Sequence, residues 1–159
     1  FAHYAMPVLI EHGAMDFVLD QYRKCWGWML EEGRSTWVEV FDTRWSHCHQ
    51  WAGCPTWQLT RYALGLTPRF DRGARHFSWM LCPGSLKQAE GRIPVPGTNG
   101  EVIAVSWRIG DDGGLLYTLE APAPITLCWP DGGEREVSGK EALLFRAPGG
   151  GWRFEKSVK

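Results

Sequence analysis

The chain has no apolar run approaching the roughly 18 residues that a membrane-spanning helix requires. That argues against a helical membrane protein. It has almost no net charge: 17 Lys and Arg against 18 Asp and Glu give −1 at neutral pH. Neither nucleic acid nor an anionic membrane is therefore expected as the main partner. Cysteines are few and loosely placed: Cys25, Cys48, Cys54, Cys82 and Cys128. An odd set without regular spacing forms no disulfide framework and fits a reducing compartment, although localisation itself stays open. No basic-plus-apolar leader follows Phe1. With Phe rather than Met at position 1, the residues are expected to begin inside a longer protein or to follow processing. There is no internal repeat and no low-complexity tract.

What is present is a folded composition. Of 159 residues, 44% are hydrophobic and 22% charged, which suits one ordinary domain or two small ones. The ten tryptophans are many for this length. Trp fills cores, and it also stacks on the C–H faces of sugars.

Up to Leu64 the pattern is helical. Pro7 predicts the first turn of a short helix ending at Glu11, and Gly13 breaks it. From about Ala14 to Glu32, Val18, Tyr22, Trp26 and Met29 recur at steps of four, four and three, one apolar face of a helix. Gly33 suits the left-handed position after a helix end. Residues 34–45 read as a loop. A third helix is expected from about Ser46 or Ala52 to Leu64, with Pro55 favouring the later start, and Gly65 and Pro68 ending it. Beyond Pro68, glycine and proline become frequent, and eight short runs read as strands. These are 77–82, 86–93, 101–109, 115–119, 125–129, 134–137, 142–146 and 152–156. Asn99-Gly100, Asp112-Gly113 and Asp131-Gly132 are hairpin turn pairs. The expected fold is α+β: helices over residues 1–68, then a small antiparallel β-sandwich over 69–159.

The chemistry concentrates in Gly33-Arg34-Ser35-Thr36-Trp37-Val38-Glu39-Val40-Phe41-Asp42 and in Ser46-His47-Cys48-His49-Gln50-Trp51. Glu39 lies between Trp37 and Phe41, alternate neighbours able to form an apolar wall beside a carboxylate. A general base needs that setting, ionised yet close to apolar surface. The alternative is a solvated glutamate, or one paired with Arg34 or Arg44. His47 and His49 share a face if their segment is extended and point apart if it is helical. Either is a candidate for holding sugar hydroxyls, or a core histidine bonded to a carbonyl. Trp45 and Trp51 are candidate sugar platforms, with core filling the alternative for Trp51. His47, Cys48, His49 and Cys54 match no standard zinc spacing. Neither a metal nor a cofactor is called. Asp42 reads as a turn or cap residue. A convincing second carboxylate for glycoside cleavage does not accompany Glu39.

In order and spacing these motifs resemble the C-terminal part of bacterial α-L-rhamnosidases. Phe1-Ala2-His3-Tyr4 is similar to the family's helix after a T-P-Y-F-type opening, and Gly33 to Glu39 is similar to its G-A-T-T-x-W-E loop. Ser46-His47-Cys48-His49, with Trp51, Gly53, Pro55-Thr56 and Arg61 to Gly65, is similar to its last barrel helix. Val38 departs from the pattern: the family has Trp there, and here Trp37 comes one place earlier. The resemblance implies an inverting glycoside hydrolase whose catalytic domain is an (α/α)6 barrel followed by a small β-sandwich. It gives Glu39 the role of general base and places His49 near the sugar. It implies a rhamnoside-like carbohydrate as partner and a general acid on barrel helices outside these residues, so that the chain alone is inactive. Three helices of such a barrel are expected to leave apolar surface bare, on the Val18–Met29 face or around Trp37, available for self-association. A non-catalytic carbohydrate-binding or interaction module is the other reading.

Overall fold

The computed structural model describes residues 1–147 and 152–158, apart from the side chain of Lys156. The described residues form two units, Phe1–Leu59 with Cys82–Ser85, and Thr60–Leu81 with Leu86 onward. The architecture is mixed α+β, with four α-helices followed by seven strands among the described residues.

In the first unit, α1 (Ala2–Glu11) carries Pro7 in its interior rather than in its first turn. Proline has no N–H, so the carbonyl four residues earlier loses its helical donor. A buried glutamine supplies a replacement: the Gln58 amide donates to the carbonyls of Ala2, at 3.2 Å, and His3, at 3.4 Å. Its own oxygen accepts the Tyr22 hydroxyl. Gln58 is fully buried, and these bonds offset the cost of placing an amide in the core.

The apolar run expected as one helix from Ala14 to Glu32 is divided. α2 is Met15–Cys25 and α3 is Gly27–Glu31. Trp26 sits at the break with φ −109°, and its indole N–H donates to the Ala52 carbonyl at 2.6 Å. Gly27, poor at sustaining a helix, follows directly. The stripe survives the break, since Val18, Tyr22, Trp26 and Met29 are all buried. Of the two places expected to lie bare this face is not one, while the loop around Trp37 leaves Val40, Phe41 and Trp45 exposed. Gly33 has φ +69°, as its place after a helix requires. A 3₁₀ turn, Gln50–Gly53, leads into α4 (Cys54–Gln58), with Pro55 in its opening turn, and a π-helical turn follows at Leu59–Ala63. Ser46–His49 is not helical. Cys82–Ser85 joins this unit where the Ser85 N–H donates to the Asp16 carboxylate at 2.6 Å.

The second unit is one seven-stranded sheet in the order β1-β2-β5-β4-β3, with β6 pairing both β5 and β7. Its strands are β1 (Leu66–Pro68), β2 (His76–Trp79), β3 (Gln88–Pro94), β4 (Val102–Ile109), β5 (Leu115–Cys128), β6 (Glu134–Arg146) and β7 (Arg153–Val158). The short strand β1, which pairs with β2, lies just after the expected end of the third helix at Leu64, where no strand was expected. Two long strands replace four expected short ones. Pro122 and Pro124 read as breakers, yet they sit where the β5–β6 register shifts between Ala121 and Ile125. A missing N–H costs little at such an irregularity. The sheet is also not wholly antiparallel, because β2 runs parallel to β5. A parallel pair needs a long crossover, and here the β3–β4 hairpin lies in that connection. All three turn pairs close hairpins, with positive φ at Gly100, Gly113 and Gly132.

Alternation fills one side of this sheet with Ile103, Val105 and Trp107 of β4 and Leu115, Tyr117 and Leu119 of β5. Trp79 stacks on Phe145 at 4.3 Å between centroids. Two buried polar tips are satisfied: the Trp107 N–H donates to the Ala63 carbonyl at 2.7 Å, and the Tyr117 hydroxyl to that of Leu64 at 2.6 Å, whereas the buried Trp79 N–H has no partner among the described residues. Gly91 in β3 leaves room for the Leu64 side chain. A Cβ there would lie 2.5 Å from the Leu64 side chain.

Candidate functional site

The segment after α3 folds back as two extended arms. The Glu39 N–H donates to the Ser46 carbonyl, and the His49 N–H to the Trp37 carbonyl, each at 2.9 Å. Thr36 adds a hydroxyl bond to the carbonyl of His47. His49 is extended, with φ −131° and ψ 106°. This pairing sets Glu39 and His49 side by side, with Oε2 3.8 Å from Nδ1 and each side chain one-third exposed. That is beyond hydrogen-bond length but within ion-pair reach once His49 is protonated.

Neither arginine considered as a partner takes Glu39. Arg34 pairs with Glu32 at 2.8 Å and lies over the Trp28 ring, while Arg44 pairs with Asp42. Hydrogen bonds from the Arg44 side chain and backbone hold the Asp42 carboxyl below the usual range. Asp42 is thus a turn residue. The carboxylate left facing the histidine is Glu39.

Glu39, His49 and Trp51 line one cavity of about 780 Å³ in the first unit. Its walls are mostly apolar, with Met6 and Leu9 from α1, Phe17 from α2, and Phe41. Among the described lining residues Glu39 is the single carboxylate. Phe41 has φ +55°, the one described non-glycine residue with positive φ. A bulky residue in that region costs about 1–3 kcal/mol and is held there by its surroundings. Here the ring packs edge-on against Trp26 at 4.6 Å. The strain turns an aromatic side chain into the cavity wall beside Glu39.

The other candidates lie elsewhere. Trp37 packs against Gly53, where a Cβ would meet its ring at 3.4 Å. Trp45 is 58% exposed. His47 is bonded through Nε2 to the Thr43 carbonyl at 2.6 Å. None of these three is among the residues lining the cavity. Val38, where the resemblance expects Trp, is fully buried, its N–H facing the Met29 sulfur at 3.5 Å. Composition did not single out the α2 side of the cavity. Phe17, Gln21 and Cys25 line it at steps of four, a stripe beside the Val18–Tyr22 face that was open to the same spacing argument.

All five cysteines are free. Cys54 is buried, which pushes its thiol up to about 11. Among the described residues no group of three or more His, Cys, Asp and Glu side chains is placed to hold a metal ion. No helix among them is long and apolar enough to cross a membrane. No family model matches the chain, and neither a curated protein nor a solved structure matches it.

Proposed function

We propose that the cavity of the first unit is part of the sugar site of an inverting glycoside hydrolase resembling the α-L-rhamnosidases, with Glu39 as general base. The observation that carries this is the pairing of Glu39 with His49 in a largely apolar cavity walled by Phe41 and Trp51. A base draws a proton from water beside the anomeric carbon, and the imidazole can hold a ring hydroxyl or orient the carboxylate. Trp51, 54% exposed at the rim, offers an aromatic face to a pyranose.

An inverting site needs a second carboxyl group about 6.5–9.5 Å from the first. With Glu39 the single carboxylate among the described lining residues, the general acid belongs to a segment outside these residues, as on the earlier helices of an (α/α)6 barrel. The exposed Phe1, Tyr4, Val8 and Phe17 are then positions where such helices would pack, or where two copies would associate. The second unit reads as the accompanying β-sandwich. Support comes from β5, whose first part pairs with β4 and whose last part pairs with β2, with the register shift between them.

The test is hydrolysis of an aryl α-L-rhamnoside with the anomer of the product followed by NMR. The 159-residue chain should be inactive. Joined to the remaining barrel helices, it should release the inverted sugar. Robust turnover by the chain alone, or a retained anomer from the joined protein, would overturn the proposal. A carbohydrate-binding module without catalysis is the alternative. It would bind L-rhamnose yet stay inactive in both forms.

A further inference from the structure

The outward face of the second unit's sheet carries a trough independent of the Glu39 cavity. Two concavities, of about 440 and 560 Å³, share Glu90, Ser106 and Thr118 and so run into each other across β3, β4 and β5. Register sets out the groups. One row is Glu90–Ser106–Thr118, the next Arg92–Ala104–Glu120–Lys140, and Arg108 stands beyond Ser106 on β4. Strands lie about 4.8 Å apart and same-face residues about 6.8 Å apart along a strand. Small side chains thus form a floor, Ala104, Ser106 and Thr118, between charged walls roughly 10 Å apart across two strand spacings.

Among the described residues the charges on these walls are left without ion-pair partners. Eight arginines from Arg23 to Arg146 each hold a carboxylate within 3.1 Å. Among the described residues Arg92, Arg108 and Lys140 hold none, as Lys24, Lys87 and Arg153 elsewhere also do not, although Lys140 stands directly opposite Glu120 and Arg92 shares its row. The hydroxyls of Ser106 and Thr118 are likewise unbonded among the described residues. Three cations against two carboxylates leave one positive charge in excess. A ligand that matches them carries one anionic group for the guanidinium forks and several hydroxyls for the carboxylates and the floor.

We propose that this trough binds an acidic oligosaccharide through a hexuronate, its carboxylate held by Arg92 and Arg108 and its hydroxyls by Glu90, Glu120, Ser106 and Thr118. Exposed ion pairs are individually weak, so affinity is millimolar. The test is a titration of the isotope-labelled 159-residue chain with the hyaluronan disaccharide, which has one glucuronate, and in parallel with lactose, which has none. Saturable amide shifts at Glu90, Ser106 and Thr118 are expected with the first. Binding should weaken about tenfold or more with lactose and in the Arg92→Ala/Arg108→Ala variant. Arg92→Lys/Arg108→Lys, which keeps charge but loses the fork, should fall between. Both positions are at the surface, so melting temperatures should stay at the parent value. Absence of saturable shifts, equal binding of lactose, or binding untouched by the alanine pair would overturn the proposal. Loss of Glu39 activity would leave it unaffected.

Discussion

The helical unit and the sheet unit solve the problem of burying aromatic residues in opposite ways. In the sheet unit Trp79, Trp107, Tyr117 and Phe145 are all buried, placed by strict alternation along paired strands. In the helical unit the elements are short and interrupted, and Phe17, Phe41, Trp45, Trp51 and Trp57 remain exposed. One unit hides these four rings in a continuous core and leaves Phe70 and Phe154 at its surface. The other keeps several at its surface, around a cavity holding its glutamate–histidine pair. Regular hydrogen bonding leaves little freedom to aim a side chain. Loops and broken helices permit odd geometries such as the positive φ of Phe41, and such sites are where chemistry is found.

Deepest in the sheet unit, Phe145→Ala should cost about 3–5 kcal/mol, because it removes the ring stacked on Trp79 and opens a cavity. Chemical denaturation of the whole chain measures it. A cost below 1 kcal/mol would mean the core is not packed as described. In the helical unit the comparable weak point is polar. Gln58→Ala strips the donor from the Ala2 and His3 carbonyls and the acceptor from Tyr22. Each hydrogen bond lost costs about 0.5–1.5 kcal/mol, and more at the His3 carbonyl, which has no helical donor because residue 7 is proline. Gln58→Glu should not rescue it, since a carboxylate cannot donate to those carbonyls. A stable Gln58→Glu chain would break the comparison.

Smaller effects should separate surface from core. Trp51→Ala is expected to change stability by no more than about 0.5 kcal/mol, as an exposed residue does, while weakening sugar binding at the cavity. Thiol labelling near pH 8 should modify exposed Cys48 quickly and buried Cys54 slowly. Because burial raises Cys54 in the folded state, its contribution to stability is present below about pH 9. It is lost as pH rises towards about 11.

Acid acts with the opposite sign. Hydrogen bonds from Arg69 hold Asp71 at about 2, and the Ser85 N–H holds Asp16 low. A carboxyl lowered in the folded state stabilises above its unfolded value and loses that contribution as pH falls. Melting temperature should therefore drop between about pH 4 and pH 2. Asp71→Asn should flatten part of that drop, and an unchanged profile would show that the Arg69 pair carries none of it.

Legibility in the sequence followed the same division. The turn pairs and alternating runs located the sheet because hairpin turns and pleats impose local rules. Pro122 and Pro124 misled, since a register shift tolerates proline and only the paired strand reveals it. The parallel β2–β5 pair was hidden because pairing between distant segments leaves no local signal. In the helical unit, steps of four found the buried face, but the break at Trp26 depends on a bond to Ala52, far along the chain. Pro7 misled for the same reason, as its helix is repaired by Gln58. At the site, Glu39 and His49 could be named from residue type, and Phe41 could be named as a wall. Only the folded arms set Glu39 beside His49 and turned Trp37 and His47 elsewhere.

The most direct measurement is the turnover of an aryl α-L-rhamnoside by the chain joined to the earlier barrel helices that the proposal calls for, compared with the same protein carrying Glu39→Gln. The substitution keeps the shape of the side chain and removes its basicity. A general base is worth about 10²–10⁴-fold, so the rate should fall by that factor with little change in melting temperature. A rate within threefold of the parent would contradict Glu39 as the base.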